Sequence, residues 1–283
     1  MTQSTVALVT VHGMGRTPQD YHLPLTKAVN RRLGASAESL HIGRVYYQGI
    51  LQPNEDRVWA RVSPKVRWNR IRELLLFGFA DAAGFEDGKE EPQSVYWQTQ
   101  VEIARTLLKA REALGQSGPL IIAAHSLGCQ VVSCYFWDAR PEKVPVAGIW
   151  QDIEAAAPAI TGGRALTADE IAYLRGSHLR QLITTGCNIP IFVAAHAGAA
   201  ILPIRPNPGF AWHNYYDPDD VLGWPLADLS DAYGQVVTDH QVNASGGVLG
   251  WLFKSWNPLS HEQYWSDGGI ATVVAEAIRA EMA

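Results

Sequence analysis

The stretch Ile121-Ile122-Ala123-Ala124-His125-Ser126-Leu127-Gly128-Cys129-Gln130 decides the fold. An apolar run, with Leu120 before it, stops abruptly at His-Ser-Leu-Gly, and helix-compatible sequence follows. Val131, Val132, Tyr135 and Phe136 then recur at the spacing of one buried helical face. A strand that turns sharply into a helix at a serine presents that hydroxyl at the strand's carboxyl end. Small residues beside the serine let the tight turn fit, and here Ala124 and Gly128 occupy those places.

Working outward, strands alternate with helices. Val6 to Val11 is a β-branched run ending at His12-Gly13. Tyr21, Leu25, Ala28, Val29 and Leu33 share a helical face that Gly34 ends. Leu40 to Tyr47 reads as a second strand, and Trp97, Val101, Ala104 and Leu108 stripe the next scaffold helix. Val146 to Trp150, Gln181 to Thr185 and Val236 to Val242 are expected as further strands. Ile270, Val273, Val274, Ala277 and Ile278 mark a C-terminal helix. This alternation predicts an α/β domain, with a mainly parallel central sheet flanked by helices. Ligands in such sheets bind beyond the carboxyl ends of the strands, where both Ser126 and His12-Gly13 fall.

A chain of 283 residues suits one domain with an insertion. With 47% hydrophobic and 18% charged residues it is globular and not disordered. The net charge of -5 offers no field for nucleic acid, and no basic cluster is read as a mark of an anionic membrane. Cys129, Cys134 and Cys187 have neither zinc-site nor redox-pair spacing and read as buried thiols in a reducing, cytoplasmic compartment. Residues Met1 to Thr5 show no basic n-region, so no secretory signal is expected. Apolar segments 74–85 and 189–204 fall short of the ~20 residues that span a bilayer, so no stable membrane insertion is expected.

Residues 52–91 break the alternation. Trp68, Ile71, Leu75 and Phe79 form a helical stripe, but apolar residues spill beyond it. A helix apolar on more than one face needs more than one covering surface. The segment is expected to be a helical cap insertion over the site, with the stripe meeting substrate. Residues 86–91 then form a solvated exit loop.

The Ala124-His125-Ser126-Leu127-Gly128 turn and the Val11-His12-Gly13-Met14-Gly15 loop resemble the α/β-hydrolase superfamily, in particular its lipase- and esterase-like serine hydrolases. The likeness covers most of the chain after Val6 except 52–91. It implies a compact α/β-hydrolase fold lacking the first strands of the full sheet, and a triad in the chain order Ser, Asp or Glu, His. Ser126 is then the nucleophile.

The resemblance extends to Ser260-His261-x-x-Tyr264-Trp265, which is similar to the histidine loop of class 3-type lipases. His261 becomes the expected base, with His240 as runner-up. For the acid, Asp220-Val221 with Pro225-Leu226 loosely resembles the family's Asp-x-Val-x-x-Pro pattern. Asp220 is the choice and Asp217, fixed by Pro218, the alternative. Asp217, Asp219 and Asp220 lack the ligand spacing of a calcium loop, so no metal is implied. The oxyanion donors are expected from the N–H of Leu127 and of Met14. The Gly13-Met14-Gly15 loop lacks the residues of a phosphate cradle, so no cofactor is implied. Arg16 reads as a surface charge, with guidance of an anionic substrate as the alternative. The segment 182–192 resembles the place of a strand ending in Gly-Ser-Pro and is expected to wall the acyl side, although Cys187 and Asn188 depart from that pattern.

The implied activity is that of a serine esterase or lipase acting through an acyl-enzyme. Ten tryptophans and an apolar cap point to an apolar acyl or aryl ester as substrate. An acyltransferase or thioesterase would use the same triad. A non-catalytic binding protein would be expected to have lost one of its members.

Overall fold

The computed structural model describes residues 4–115, 117–142, 147–198, 201–243, 264–266 and 268–283. The elements run β1 (Val6–Val11), α1 (Leu23–Leu33), β2 (Leu40–Val45), α2 (Gln48–Val62), α3 (Asn69–Glu86), α4 (Val95–Ala113), β3 (Leu120–His125) and α5 (Leu127–Asp138). They continue with α6 (Ile153–Thr161), α7 (Ala168–Leu174), β4 (Leu179–Thr185), α8 (Ile189–Val193), β5 (Ala211–Tyr216), α9 (Asp231–Gly234), β6 (Val237–Gln241) and α10 (Gly268–Met282).

The six strands form one parallel sheet in the order β2-β1-β3-β4-β5-β6. The order reverses between β1 and β3. That is the switch point of a doubly wound sheet, where connections leave in opposite directions and open a crevice. Val11 pairs with Ala124, so His12-Gly13 and His125-Ser126 leave adjacent strands side by side.

Alternation along the strands divides the core into two layers. Val6, Leu8, Ile121 and Ile183 pack with Leu25, Val29, Ile270, Val274 and Ile278 of α1 and α10. Ala7, Val9, Ile122 and Leu182 face the other layer, with Ile103 and Leu107 of α4 and Val131 and Val132 of α5. Strands buried on both faces must read as continuous apolar runs, as VALVTV and LIIAAH do. Each such fully buried side chain contributes about 1.5–3 kcal/mol of transfer free energy.

Two elements differ from the sequence expectation. Gly148–Gln151 is a 3-10 helix and not part of a strand. Gly148 has φ 61, outside the range of extended backbone, and its amide bonds to the carbonyl of Lys89. Ala211–Tyr216 is a central strand the apolar pattern did not reveal. Its His213 and Asn214 interrupt the run, yet buried Asn214 is satisfied by the Asp239 carboxylate, the Trp224 carbonyl and the Thr184 hydroxyl.

Helices α2 and α3 form an antiparallel hairpin between β2 and α4. Glu55 meets Asp81 through Gln48, and Trp59 meets Phe77 edge-on. The inner face of α3 is Phe77, Asp81 and Phe85, all buried. Of the expected stripe, the Ile71 side chain lies outside the described residues and the other three point the other way. Trp68, Leu75 and Phe79 are 76%, 50% and 71% exposed, so they do not meet the site. The physical reason is a helix with two apolar faces, of which the one carrying Asp81 is turned inward by that residue's hydrogen bonds. No helix among the described residues is long and apolar enough to cross a membrane.

Candidate active site

Ser126 stands between β3 and α5 with φ 53 and ψ -124. A non-glycine residue there is strained by about 1–3 kcal/mol and persists only where its surroundings enforce it. Two close approaches do so. A Cβ on Gly128 would lie 2.4 Å from the carbonyl oxygen of His12, so α5 starts directly against the end of β1. A Cβ on Gly13 would lie 2.6 Å from Cβ of Ser126. The Ser126 N–H donates to the Thr185 carbonyl at 3.0 Å, which ties the turn to β4.

The loop after β1 is braced from below. His12 is buried, and its Nε2 accepts the Tyr47 N–H at 3.2 Å while Nδ1–H donates to the Gly13 carbonyl at 2.7 Å. Its ring stacks on Tyr47 with centroids 3.9 Å apart. Burial lowers its pKa to about 4, so it is a neutral brace. On the other side, Gly15 N–H donates to Asp81 Oδ2 at 2.6 Å. The Met14 sulfur lies under Gly78 of α3, where a Cβ would approach it to 2.8 Å. Arg16 is more than a loose surface charge: it pairs with Asp56 of α2 at 2.7 Å and Glu73 of α3 at 2.8 Å. The helical hairpin therefore grips the Met14-Gly15-Arg16 loop at three points. Leu127 is the first residue of α5, and the first N–H groups of a helix have no acceptor within it.

The acidic loop follows β5 on the same rim. Asp217 and Asp220 are both buried, and Asp219 is exposed. Asp217 Oδ1 accepts the Asp219 N–H at 2.9 Å, closing a turn. Asp220 Oδ1 accepts the Leu222 N–H at 3.0 Å, and its Oδ2 accepts the Tyr264 hydroxyl at 3.1 Å. Burial, then the charge of Asp220, raises the Tyr264 phenol well above its usual range, so it stays a donor. Trp265 donates to the Thr185 hydroxyl at 3.2 Å and stacks on Tyr21. Among the described residues no group of three or more His, Cys, Asp or Glu could hold a metal ion.

A cleft of about 820 Å³ opens over Ser126. Its walls include Gly13, Met14, Phe77, His125, Leu222 and Trp265. Segment 182–192 is not among its described walls; Cys187 and Ile189 are buried in the core instead.

The structure thus brings Ser126, Met14 and Leu127 to one rim, with Asp217 and Asp220 on the loop beside it. His261 lies outside the described residues. The runner-up, His240, sits within β6, where its Nε2 and Nδ1 of His213 lie 3.1 Å apart and its ring stacks on Tyr215. Sequence reasoning named neither Tyr264 nor Asp81 as part of the site. Tyr264 was signalled by the Tyr-Trp pair after His261. Asp81 had only the weak signal of a carboxylate within an apolar helix.

No family model matches this chain, and no curated protein matches it. Solved structures resemble it. One is a protein described as a hydrolase of the alpha/beta superfamily from Xanthomonas campestris pv. campestris, 16% identical over 97% of this chain and 98% of that one, with TM-score 0.39. Another is an acetylxylan esterase, 8% identical over the whole of both chains, with TM-score 0.45. The parallel sheet with a serine turn at its switch point is the architecture of an α/β-hydrolase fold.

Proposed function

We propose that this protein is a serine hydrolase that cleaves a carboxylic ester through an acyl-enzyme. The observation that carries this is Ser126, held at φ 53 against Gly13 at the switch point of the sheet. Backbone strain enforced by its surroundings beneath an open cleft is the setting of a reactive residue.

In this reading Ser126 Oγ attacks the ester carbonyl while His261 takes its proton. The oxygen-to-carbon bond forms and the carbonyl becomes an oxyanion, met by the N–H groups of Leu127 and Met14. Collapse breaks the ester bond, and His261 returns the proton to the leaving alcohol. Water, activated by the same base, then attacks the acyl-serine and releases the acid. Asp220 orients the base. Tyr264 supports an acid on this loop, because its hydroxyl bonds both to Asp220 Oδ2 and to the Asp217 N–H.

Met14, Phe77, Leu222 and Trp265 in the walls favour an apolar acyl or aryl group. Residues 52–91 act as the cap, presenting Glu73 and Phe77 to the cleft. Free Cys129, Cys134 and Cys187 fit a reducing compartment such as the cytoplasm.

The test is labelling with an alkyl fluorophosphonate, read by mass spectrometry of the peptides. A single adduct on Ser126, absent in Ser126→Ala, is expected, since only an activated serine attacks phosphorus readily. Labelling at another residue, or none in folded protein, overturns the reading.

A further inference from the structure

The chain-wide charge of -5 hides a local excess of the opposite sign. Between residues 57 and 72 stand Arg57, Arg61, Lys65, Arg67, Arg70 and Arg72, with no Asp or Glu among them. This stretch is the second half of α2, the turn after it and the first turn of α3. Arg57, Arg61, Lys65, Arg67 and Arg72 are all exposed. Among the described residues Arg61, Lys65, Arg67 and Arg72 have no carboxylate partner.

The same hairpin carries Trp68 and Phe79, the two most exposed large apolar side chains among the described residues, and half-exposed Leu75. Leu75 and Phe79, four residues apart, share the outer face of α3 opposite Phe77 and Asp81, and Trp68 stands at its N-cap. Trp68 even occupies left-handed backbone, φ 64 and ψ 40, with its indole in solvent. Among the described residues this face stays exposed, because the hairpin's grip on the rest of the molecule is made by the opposite one. The acid at its far end, Glu86, is paired with Lys89 at 2.5 Å.

We infer that the outer face of α3, with the basic stretch leading into it, is a docking surface for an anionic lipid membrane. An amphipathic helix with aromatic and leucine side chains on one face and cations beside them lies in the plane of a bilayer interface. Tryptophan is suited to that layer because its ring is apolar while its N–H stays wet. The unpaired cations are attracted to acidic headgroups, and the attraction dies within a Debye length of about 8 Å at physiological salt. Charge complementarity therefore selects an acidic surface over a neutral one. Docking in this orientation leaves the opposite face of α3, with Glu73 and Phe77 at the cleft, turned toward the site. It recruits the whole molecule and requires no change in the turn at Ser126.

The test is co-sedimentation of the full chain with phosphatidylcholine vesicles, with and without about one-third phosphatidylserine. Binding to the acidic vesicles should exceed that to neutral ones by at least about tenfold, and fall several-fold when salt is raised to about 0.5 M. Arg61→Glu with Lys65→Glu and Arg67→Glu should abolish it. Trp68→Ser with Phe79→Ser should weaken it by about tenfold or more, while thermal stability stays near the parent's because both side chains are exposed. Each variant keeps Ser126 intact, so fluorophosphonate labelling reports separately on the proposed chemistry. Equal binding to neutral and acidic vesicles, or no binding to either, overturns the inference. So does a dimer in vesicle-free solution that Phe79→Ser dissociates, for then a second copy covers the face.

Discussion

The hydroxyl of Tyr264 donates to Oδ2 of Asp220 at 3.1 Å and, through the same oxygen, accepts the backbone N–H of Asp217 at 2.8 Å. One phenol therefore joins both candidate acids to the chain that follows residue 261. The two acids are nevertheless unlike. Asp217 Oδ1 accepts from Asp219 within its own turn, and Asp220 Oδ2 accepts from Tyr264 of another segment. A carboxylate that takes a donor from another segment is placed to orient a partner across the rim.

Asp220→Asn should therefore lower kcat on a soluble p-nitrophenyl ester by about a hundredfold or more, with KM little changed, because the orienting acid acts mainly on the imidazolium of the transition state. Asp217→Asn should cost stability first, seen as a lower Tm, and less than about tenfold in kcat. Steady-state kinetics beside thermal melts decide it. A greater kcat loss in Asp217→Asn would transfer the orienting role to that residue.

Glu55 and Asp81 give the protein a pH signature. Both are buried between α2 and α3, with Gln48 Nε2 donating to each at 3.3 Å. Burial raises both carboxyls, Glu55 to about 9, with the neighbouring acid adding to its shift. A raised acid keeps its proton in the fold and loses it on unfolding. Stability from Glu55 is thus fully present below about pH 4.5 and is lost as pH rises toward 9. Glu55→Gln keeps the shape and a donor without the titration. Its Tm should fall less than the parent's between pH 6 and pH 9, in melts across about four pH values. Parallel curves for the two proteins would show that the pair does not hold a proton there.

The scaffold was legible because β1, β3 and the half of β4 from Leu182 on are buried on both faces and so carry mostly apolar runs. The turn at Ser126 was legible because its strain demands small neighbours, which left Ala124 and Gly128 in the sequence. β5 was not, since Asn214 and His213 are made compatible with the sheet only by partners distant in the chain. The orientation of α3 was hidden for a related reason. Its periodicity offers two apolar faces, and the hydrogen bond from Gly15 to Asp81, across 66 residues, helps select one. Pattern counts apolar positions but not the polar contacts that rank them. The basic stretch 57–72 was masked by the acidic balance of the rest of the chain.

That choice of face sets what the hairpin does to substrates. Phe77 is 1% exposed, lines the cleft, and carries the Arg16 guanidinium 4.7 Å above its ring. Phe79, two residues on, points into solvent. Truncating Phe77 removes apolar wall, so Phe77→Leu should raise KM for long-chain p-nitrophenyl esters by a factor on the order of ten while kcat on the acetate stays near parental. Leucine is chosen because alanine at a buried phenylalanine costs about 3–5 kcal/mol and would confuse unfolding with binding. Phe79→Ala should leave both substrates unaffected when they are supplied in solution, since its ring touches neither cleft nor core. Equal loss on short and long esters in Phe77→Leu would place the residue in the scaffold and remove the hairpin from substrate selection. A loss in Phe79→Ala on soluble esters would mean that the outer face turns inward when substrate binds.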